Sequence, residues 1–140
     1  MDVVFLIGRI LFAVLFVFSG LTAHLGEGGK VGQEYARSAG APAPHLLVPL
    51  SGVAIIAGAL MIGFGVWADL GAILIVGLVG ITPIMHAFWK IDDEQMRAIQ
   101  GAMFFKNVAL LGAAIIIFWL FNQLVDPPLT ITDALFDRID

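Results

Sequence analysis

Four long apolar stretches constrain the fold of this chain more than any other feature. They cover residues 3–23, 46–66, 70–89 and 102–122, and Arg9 and Lys106 are the only Lys, Arg, Asp or Glu residues within them. Each stretch has 20 or 21 residues, and an α-helix that rises ~1.5 Å per residue then crosses a hydrocarbon core of ~30 Å. The sequence therefore predicts an all-α fold, a bundle of four transmembrane helices.

The composition excludes the soluble alternatives. Hydrophobic residues make up 60% of the chain and charged residues 13%, whereas a soluble domain has about 25% charged residues. The chain has no cysteine, so it can form neither disulfides nor thiolate ligand sites. The net charge of −4 is spread along the chain, which is not the basic patch of a nucleic-acid-binding protein.

The connections between the stretches give the topology. We expect one membrane domain over residues 1–125 and a short amphipathic tail over residues 126–140. The link between the second and third stretches is so short that these helices must be antiparallel neighbours. Both termini and this link then lie at one membrane face, side A, and the other two connections lie at the opposite face, side B. The first stretch is preceded by Asp2 and by no lysine or arginine, which favours a retained span over a cleaved signal peptide.

Basic residues favour a cytoplasmic side B by the positive-inside rule. Arg138 is the basic residue in the side-A connections and tail, whereas four lie in the side-B connections: Lys30, Arg37, Lys90 and Arg97.

Local features refine this layout. Pro83 should kink the third span and free a carbonyl near Val79, because proline has no N–H and clashes with the preceding turn. Residues 35–39 favour a short interfacial helix that stops at Gly40. Residues 90–97 favour a polar loop with a helical turn. Thr132 favours a capped turn holding Leu135, Phe136 and Ile139. The three tryptophans, at positions 67, 89 and 119, fall at predicted span ends and suggest an interfacial belt, with core tryptophans as the alternative.

Ionisable groups near side A predict an ion pair. Arg9 lies about two turns inside the first span, and both Asp69 and Asp126 are at the same face. Because a charge inside a bilayer needs a partner, we expect an Arg9–Asp69 or Arg9–Asp126 pair. The alternative is that Arg9 contacts a substrate anion.

Side B gathers the remaining polar groups of the spans. They are His24, His45, His86, Lys106 and Asn107. Together they predict a polar pocket open to the interface. It would suit the head group of a quinone or another lipid, with a His or Asn donor bonded to a carbonyl oxygen and the apolar tail lying between helices.

Three other interpretations of this pocket remain open. Two histidines could hold haem b, although haem is disfavoured. A metal could be held by His24, His45, His86 and Glu27, although isolated histidines are weak evidence for a metal site. In the plainest interpretation, Lys106 extends to the head groups and each histidine is an ordinary interfacial residue.

Several motifs resemble the DoxX family of small bacterial membrane proteins, over residues 5–120. Arg9 is followed by Phe18-Ser19-Gly20, and Gly40-Ala41-Pro42 leads into a second span that ends Gly63-Phe64-Gly65. The third and fourth spans carry His86-Ala87-Phe88-Trp89 and Phe105-Lys106-Asn107-Val108-Ala109-Leu110-Leu111-Gly112. The residues that match the family by position are Arg9, His86, Lys106 and Asn107. The glutamate that is frequent in the second span of the family is absent, because residues 51–55 are Ser-Gly-Val-Ala-Ile.

The resemblance implies a four-helix protein of the bacterial inner membrane that accompanies membrane oxidoreductases linked to quinone. We therefore expect a non-catalytic accessory subunit of a redox assembly, without a covalently bound cofactor, with a quinone or lipid as candidate ligand and other membrane subunits as partners. The alternatives are a small-molecule carrier that acts as an oligomer and an anchor subunit for b-type haem. An autonomous enzyme is disfavoured, because the spans show no nucleophile–base pair, phosphate loop or carboxylate pair.

Overall fold

The computed structural model describes residues 1–124 and 126–136, and this part of the chain contains helices but no strands. The helices are α1 (Asp2–Ser19), which continues as a π-helical turn (Gly20–His24), α2 (Gly26–Ser38), α3 (Pro44–Phe64), α4 (Ala68–Val79), α5 (Thr82–Met85), a 3-10 turn (Phe88–Lys90) and α6 (Glu94–Gln123). Four helical segments are long and apolar enough to cross a membrane: Asp2–His24, Pro44–Phe64, Ala68–Lys90 and Glu94–Gln123. The predicted all-α transmembrane bundle is confirmed.

The outer surface of the bundle is apolar. Large side chains such as Leu11, Phe18 and Ile116 are more than half exposed, as expected where lipid replaces water. Trp67, Trp89 and Trp119 are also exposed. Their exposure fits the interfacial belt and excludes the alternative of core tryptophans.

Glycines allow a close helix contact where α3 crosses α4. A Cβ atom added to Gly58 would lie 2.9 Å from the Gly71 carbonyl oxygen, and one added to Gly71 would lie 2.7 Å from that of Gly58. Because lipid supplies no hydrophobic force between helices, such close backbone approach is a main source of association. α3 also packs against α1, and α4 packs against α6.

The third span is broken as the proline predicts. α4 ends at Val79, and α5 begins at Thr82 with Pro83 in its first turn. Since Pro83 has no N–H, it cannot bond to the Val79 carbonyl. The break turns the backbone at side B and places Thr82 and His86 beside the interior of the bundle.

Two helices extend further than the sequence indicates. α2 runs over Gly26–Ser38 and not only over residues 35–39, although it does stop before Gly40, whose φ is +82°. α6 begins at Glu94, so the second half of the expected polar loop, residues 94–97, is helical. Its first turn is capped by Asp93, whose carboxylate accepts the Met96 N–H at 2.7 Å.

The tail folds back over side A. The Gly65 carbonyl accepts the N–H groups of Ile131 and Thr132, at 2.9 and 3.1 Å. The Thr132 hydroxyl accepts the Trp67 N–H at 2.8 Å. Thr132 therefore joins the tail to the α3–α4 link and does not cap the predicted turn. Ile139, which was expected in that turn, and Arg138 lie outside the described residues.

Arg9 binds the tail in place of an acid. It is only 2% exposed, and its Nη2 donates to the Leu129 carbonyl at 2.6 Å. Its guanidinium carbon lies 5.2 Å from the centre of the Phe5 ring and 5.7 Å from that of Phe121. Within residues 1–124 and 126–136, no carboxylate lies within ion-pair distance of Arg9.

Asp69 also binds the tail. It is fully buried, and its Oδ2 accepts the backbone N–H groups of Leu135 and Phe136, both at 2.8 Å. Asp126 lies at the exposed start of the tail. The structure thus replaces the predicted Arg9–Asp69 or Arg9–Asp126 pair with two separate attachments, because the returning tail offers a carbonyl to one group and amides to the other.

We predict that Gly71→Ala destabilises the bundle and that Gly77→Ala, in the same helix, does not. The new methyl at position 71 would meet the backbone at 2.7 Å, whereas nothing lies within 4 Å of a Cβ at position 77. Overpacking of this kind costs ~1–3 kcal/mol. Thermal unfolding in a mild detergent measures the difference, and equal midpoints for the two variants would contradict the glycine contact.

We also predict that Asp69→Ala releases the tail. The substitution removes the acceptor of two N–H groups, and hydrogen bonds to a charged group contribute about 1.5–3 kcal/mol each. Chymotrypsin should then cleave next to Leu135 and Phe136 faster than in the parent protein. Asp133→Ala is the matched control because Asp133 is an exposed acid of the same tail. Unchanged cleavage of Asp69→Ala would show that Asp69 does not hold the tail.

Candidate functional site

A cavity of about 780 Å³ lies inside side B. Ligand pockets in proteins usually measure ~300–1,000 Å³. The end of α1, α2, α3, the α4–α5 break and α6 all contribute side chains to its wall. Four of the five predicted side-B residues line it, namely His24, His86, Lys106 and Asn107. His45 does not line it and is exposed at the start of α3.

The π-helical turn places His24 at the cavity. His24 is the last residue of this turn, and π-helical insertions in α-helices frequently mark functional sites. α2 fits closely against the turn, because a Cβ atom at Gly28 would lie 1.6 Å from the Thr22 carbonyl oxygen. On α3, a Cβ at Gly52 would lie 2.6 Å from that of His24. The glycines of two helices therefore fix the position of this histidine.

A short hydrogen-bonded chain orients the His24 ring. Its Nδ1 lies 2.9 Å from the Ser51 hydroxyl oxygen, and that hydroxyl donates to the Val48 carbonyl at 2.7 Å. These two contacts hold the imidazole ring in place at the cavity wall.

A second chain orients the His86 ring. Its Nδ1 lies 2.7 Å from Gln100 Oε1 on α6. The Tyr35 hydroxyl, on α2, donates to the Met85 carbonyl and lies 3.1 Å from the same Gln100 oxygen. Tyr35 thereby joins α2 to α5 and α6 at the cavity wall.

The two α6 residues differ in their exposure. Lys106 lines the cavity and is also exposed, whereas Asn107 is half-buried. The lysine can therefore reach the head-group region as well as a ligand. In the part of the chain that the structure describes, no group of three or more His, Asp or Glu residues lies close enough to hold a metal ion. The described residues therefore do not form the four-ligand metal site that the sequence suggests.

Sequence reasoning missed several polar residues of the site. Tyr35 and Ser51 line the cavity, Thr82 lines it and is 5% exposed, and Gln100 bonds to His86. The available signals were that Tyr35 is the only tyrosine and that Ser51 stands in the uncharged second span. Neither signal could reveal the bonded partner, which comes from another helix.

The profile of the DoxX family matches residues 4–87, which is more than half of the chain. The chain belongs to the DoxX family. The match confirms the predicted family and, with the four apolar helices, a multi-pass membrane protein. It covers α1 to α5, including Arg9, His24 and His86, and ends before α6. No curated protein and no solved structure matches the chain.

We predict that Tyr35 of this DoxX protein ionises above the ordinary phenol value. Burial raises the pKa of Tyr35 above 10.0, because the charged phenolate is disfavoured away from water. Since Tyr35 is the only tyrosine, an absorbance titration follows it directly. The midpoint should lie above 10.0 in the folded protein and drop when the protein is unfolded. A folded midpoint at or below the unfolded one would contradict the placement of Tyr35 at the cavity wall.

Proposed function

We propose that this DoxX protein is an accessory subunit of a membrane redox assembly and binds a quinone-type ligand in the side-B cavity. The observation that carries the proposal is the composition of the cavity wall. His24, His86 and Asn107 provide polar contacts for a head group, and most of the other lining residues are apolar.

The cavity wall suits an amphipathic ligand. Apolar side chains such as Phe16, Leu47 and Ile55 line it together with the polar residues. A quinone likewise has a polar part and an apolar part, because its head group carries two oxygens and its tail is a hydrocarbon. The volume of about 780 Å³ is within the range of cofactor pockets.

The arrangement of the polar groups supports a binding role over catalysis. A serine nucleophile donates its proton to a neighbouring histidine, whereas the Ser51 hydroxyl donates to the Val48 carbonyl. Ser51 is thus held by the backbone of its own helix as well as by His24. The electron transfer itself then belongs to a partner subunit.

We place the protein in the bacterial inner membrane with side B facing the cytoplasm. The basic residues of α2 and α6 support this orientation, since Lys30, Arg37 and Arg97 lie in these helices at side B. A ligand would then enter the cavity from the cytoplasmic leaflet.

The proposal is tested by identifying the lipids and proteins that co-purify with the protein. The tagged protein is extracted in polymer-bounded lipid discs, and its lipids and bound proteins are identified by mass spectrometry. We expect quinone enriched over discs that contain an unrelated four-span protein, together with subunits of an oxidoreductase. Recovery with neither would contradict the proposed function.

Variants locate the ligand within the protein. We expect His86→Ala or Lys106→Ala to lower the retained quinone about tenfold, since a lost polar contact costs ~1–2 kcal/mol. Arg37→Ala is the control, because Arg37 is an exposed residue paired with Glu34. Equal retention in all three variants would show that the ligand lies outside the cavity.

A further inference from the structure

We infer that the side-B cavity opens sideways into the bilayer between α3 and α5, so that the head group of its ligand lies inside and the hydrocarbon tail lies in lipid. This inference rests on the proposed function and adds the class of ligand, an amphiphile whose tail can be longer than the cavity. Four aliphatic side chains of the cavity wall form the opening, called here the lateral mouth: Leu47 and Leu50 on α3, and Ile81 and Ile84 at the α4–α5 break.

The face of α3 that contacts α4 loses its cover towards side B. Gly58 is buried and meets Gly71 of α4. Ala54 and Leu47 precede Gly58 by four and eleven residues, which places all three on one face of the helix. Ala54 is half-buried, Leu47 is 43% exposed, and both line the cavity. This face is therefore closed at Gly58 and open at Leu47.

The opposing face of α4 changes in the same direction. Ile75 is fully buried and lies against Gly58. Leu78 and Ile81 follow at intervals of three residues, which keeps them on the side of Ile75. Leu78 is half-buried, Ile81 is 48% exposed, and both line the cavity. Since α5 packs against α6 after the break, α3 and the end of the third span separate towards side B.

The side chains at the separation suit a hydrocarbon tail. Leu50 and Ile84 are each more than half exposed although they line the cavity. A side chain that is both exposed and part of a cavity wall lies at the edge of an opening. All four residues of the lateral mouth are aliphatic, so a hydrocarbon chain between them leaves no polar group without a partner.

α2 covers the other way out of the cavity, towards water. Gly32 and Ala36 line the cavity from this helix, and Ala36 is buried. The Tyr35 hydroxyl donates to the Met85 carbonyl at the end of α5, so α2 is attached to the opposite wall. A hydrocarbon tail in water is disfavoured, whereas the lateral mouth leads directly into lipid.

The test narrows the lateral mouth after the protein has folded. The chain has no cysteine, so the single thiol of Leu47→Cys can be labelled with phenylmaleimide. Leu46→Cys is the matched control, because Leu46 is an exposed neighbour that does not line the cavity. Two probes are compared by equilibrium dialysis in quinone-free lipid discs. One is tetramethylbenzoquinone, and the other carries a decyl chain in place of one methyl group.

The label should affect the probe with a tail and spare the probe without one. We expect labelled Leu47→Cys to bind the decyl probe about tenfold more weakly than before labelling, because the added ring overfills the lateral mouth. Binding of tetramethylbenzoquinone should not change. Labelled Leu46→Cys should bind both probes as it does before labelling. Ile84→Cys repeats the experiment from the other side of the lateral mouth.

The outcomes separate this inference from the proposed function. Unchanged binding of the decyl probe to labelled Leu47→Cys and Ile84→Cys overturns the inference and leaves a quinone site in place. Equal loss of both probes also overturns it, because the label then blocks the head group. If the unaltered protein binds neither probe, the proposed function is overturned together with the inference. Each variant is compared with itself before labelling, so an effect of the substitution on folding does not obscure the result.

Discussion

Close approach of helix backbones is the constraint on which this structure depends. In lipid, apolar side chains gain nothing by leaving one apolar environment for another, so van der Waals packing must hold the bundle together. The Gly58–Gly71 crossing of α3 and α4 supplies that packing in the centre. Glycines also allow close packing at side B, where Gly28 and Gly52 leave space for the π-helical turn and its histidine. The glycines thus allow the helices of the scaffold to pack closely and also fix the position of the site.

The two ends of the bundle use polar groups in opposite ways. At side A the buried Arg9 and Asp69 bind backbone groups of the returning tail, so that end is filled by the chain itself. At side B the Pro83 break and the π-helical turn leave a cavity, and the histidines there bond to side chains through one nitrogen each. Both side-A charges therefore contact the tail, whereas the large cavity lies at side B.

The sequence predicts the features that depend on composition and on the order of segments along the chain. It predicts few of the contacts that depend on one particular partner residue. Span number, the Pro83 break and the gathering of four polar residues at side B follow from hydropathy and antiparallel threading. The length of α2 does not, because its glycines disfavour a helix in isolation and are accepted only through contact with the π-helical turn. The Arg9–Asp69 pair was a reasonable expectation for charges in lipid, but the tail offers both groups backbone partners that no local pattern reveals.

The proposed function requires that the side-B cavity holds the head group of a lipid-soluble ligand. The most direct measurement is photolabelling in lipid discs with a quinone analogue that carries its reactive group on the ring, followed by peptide mapping. We expect adducts on the cavity wall, in peptides that contain Ser51 or Asn107. The alternative is the shallow apolar groove between α1 and α3 that includes Val14 and Leu60. Adducts confined to that groove, or spread evenly over the lipid-facing surface, would contradict the claim.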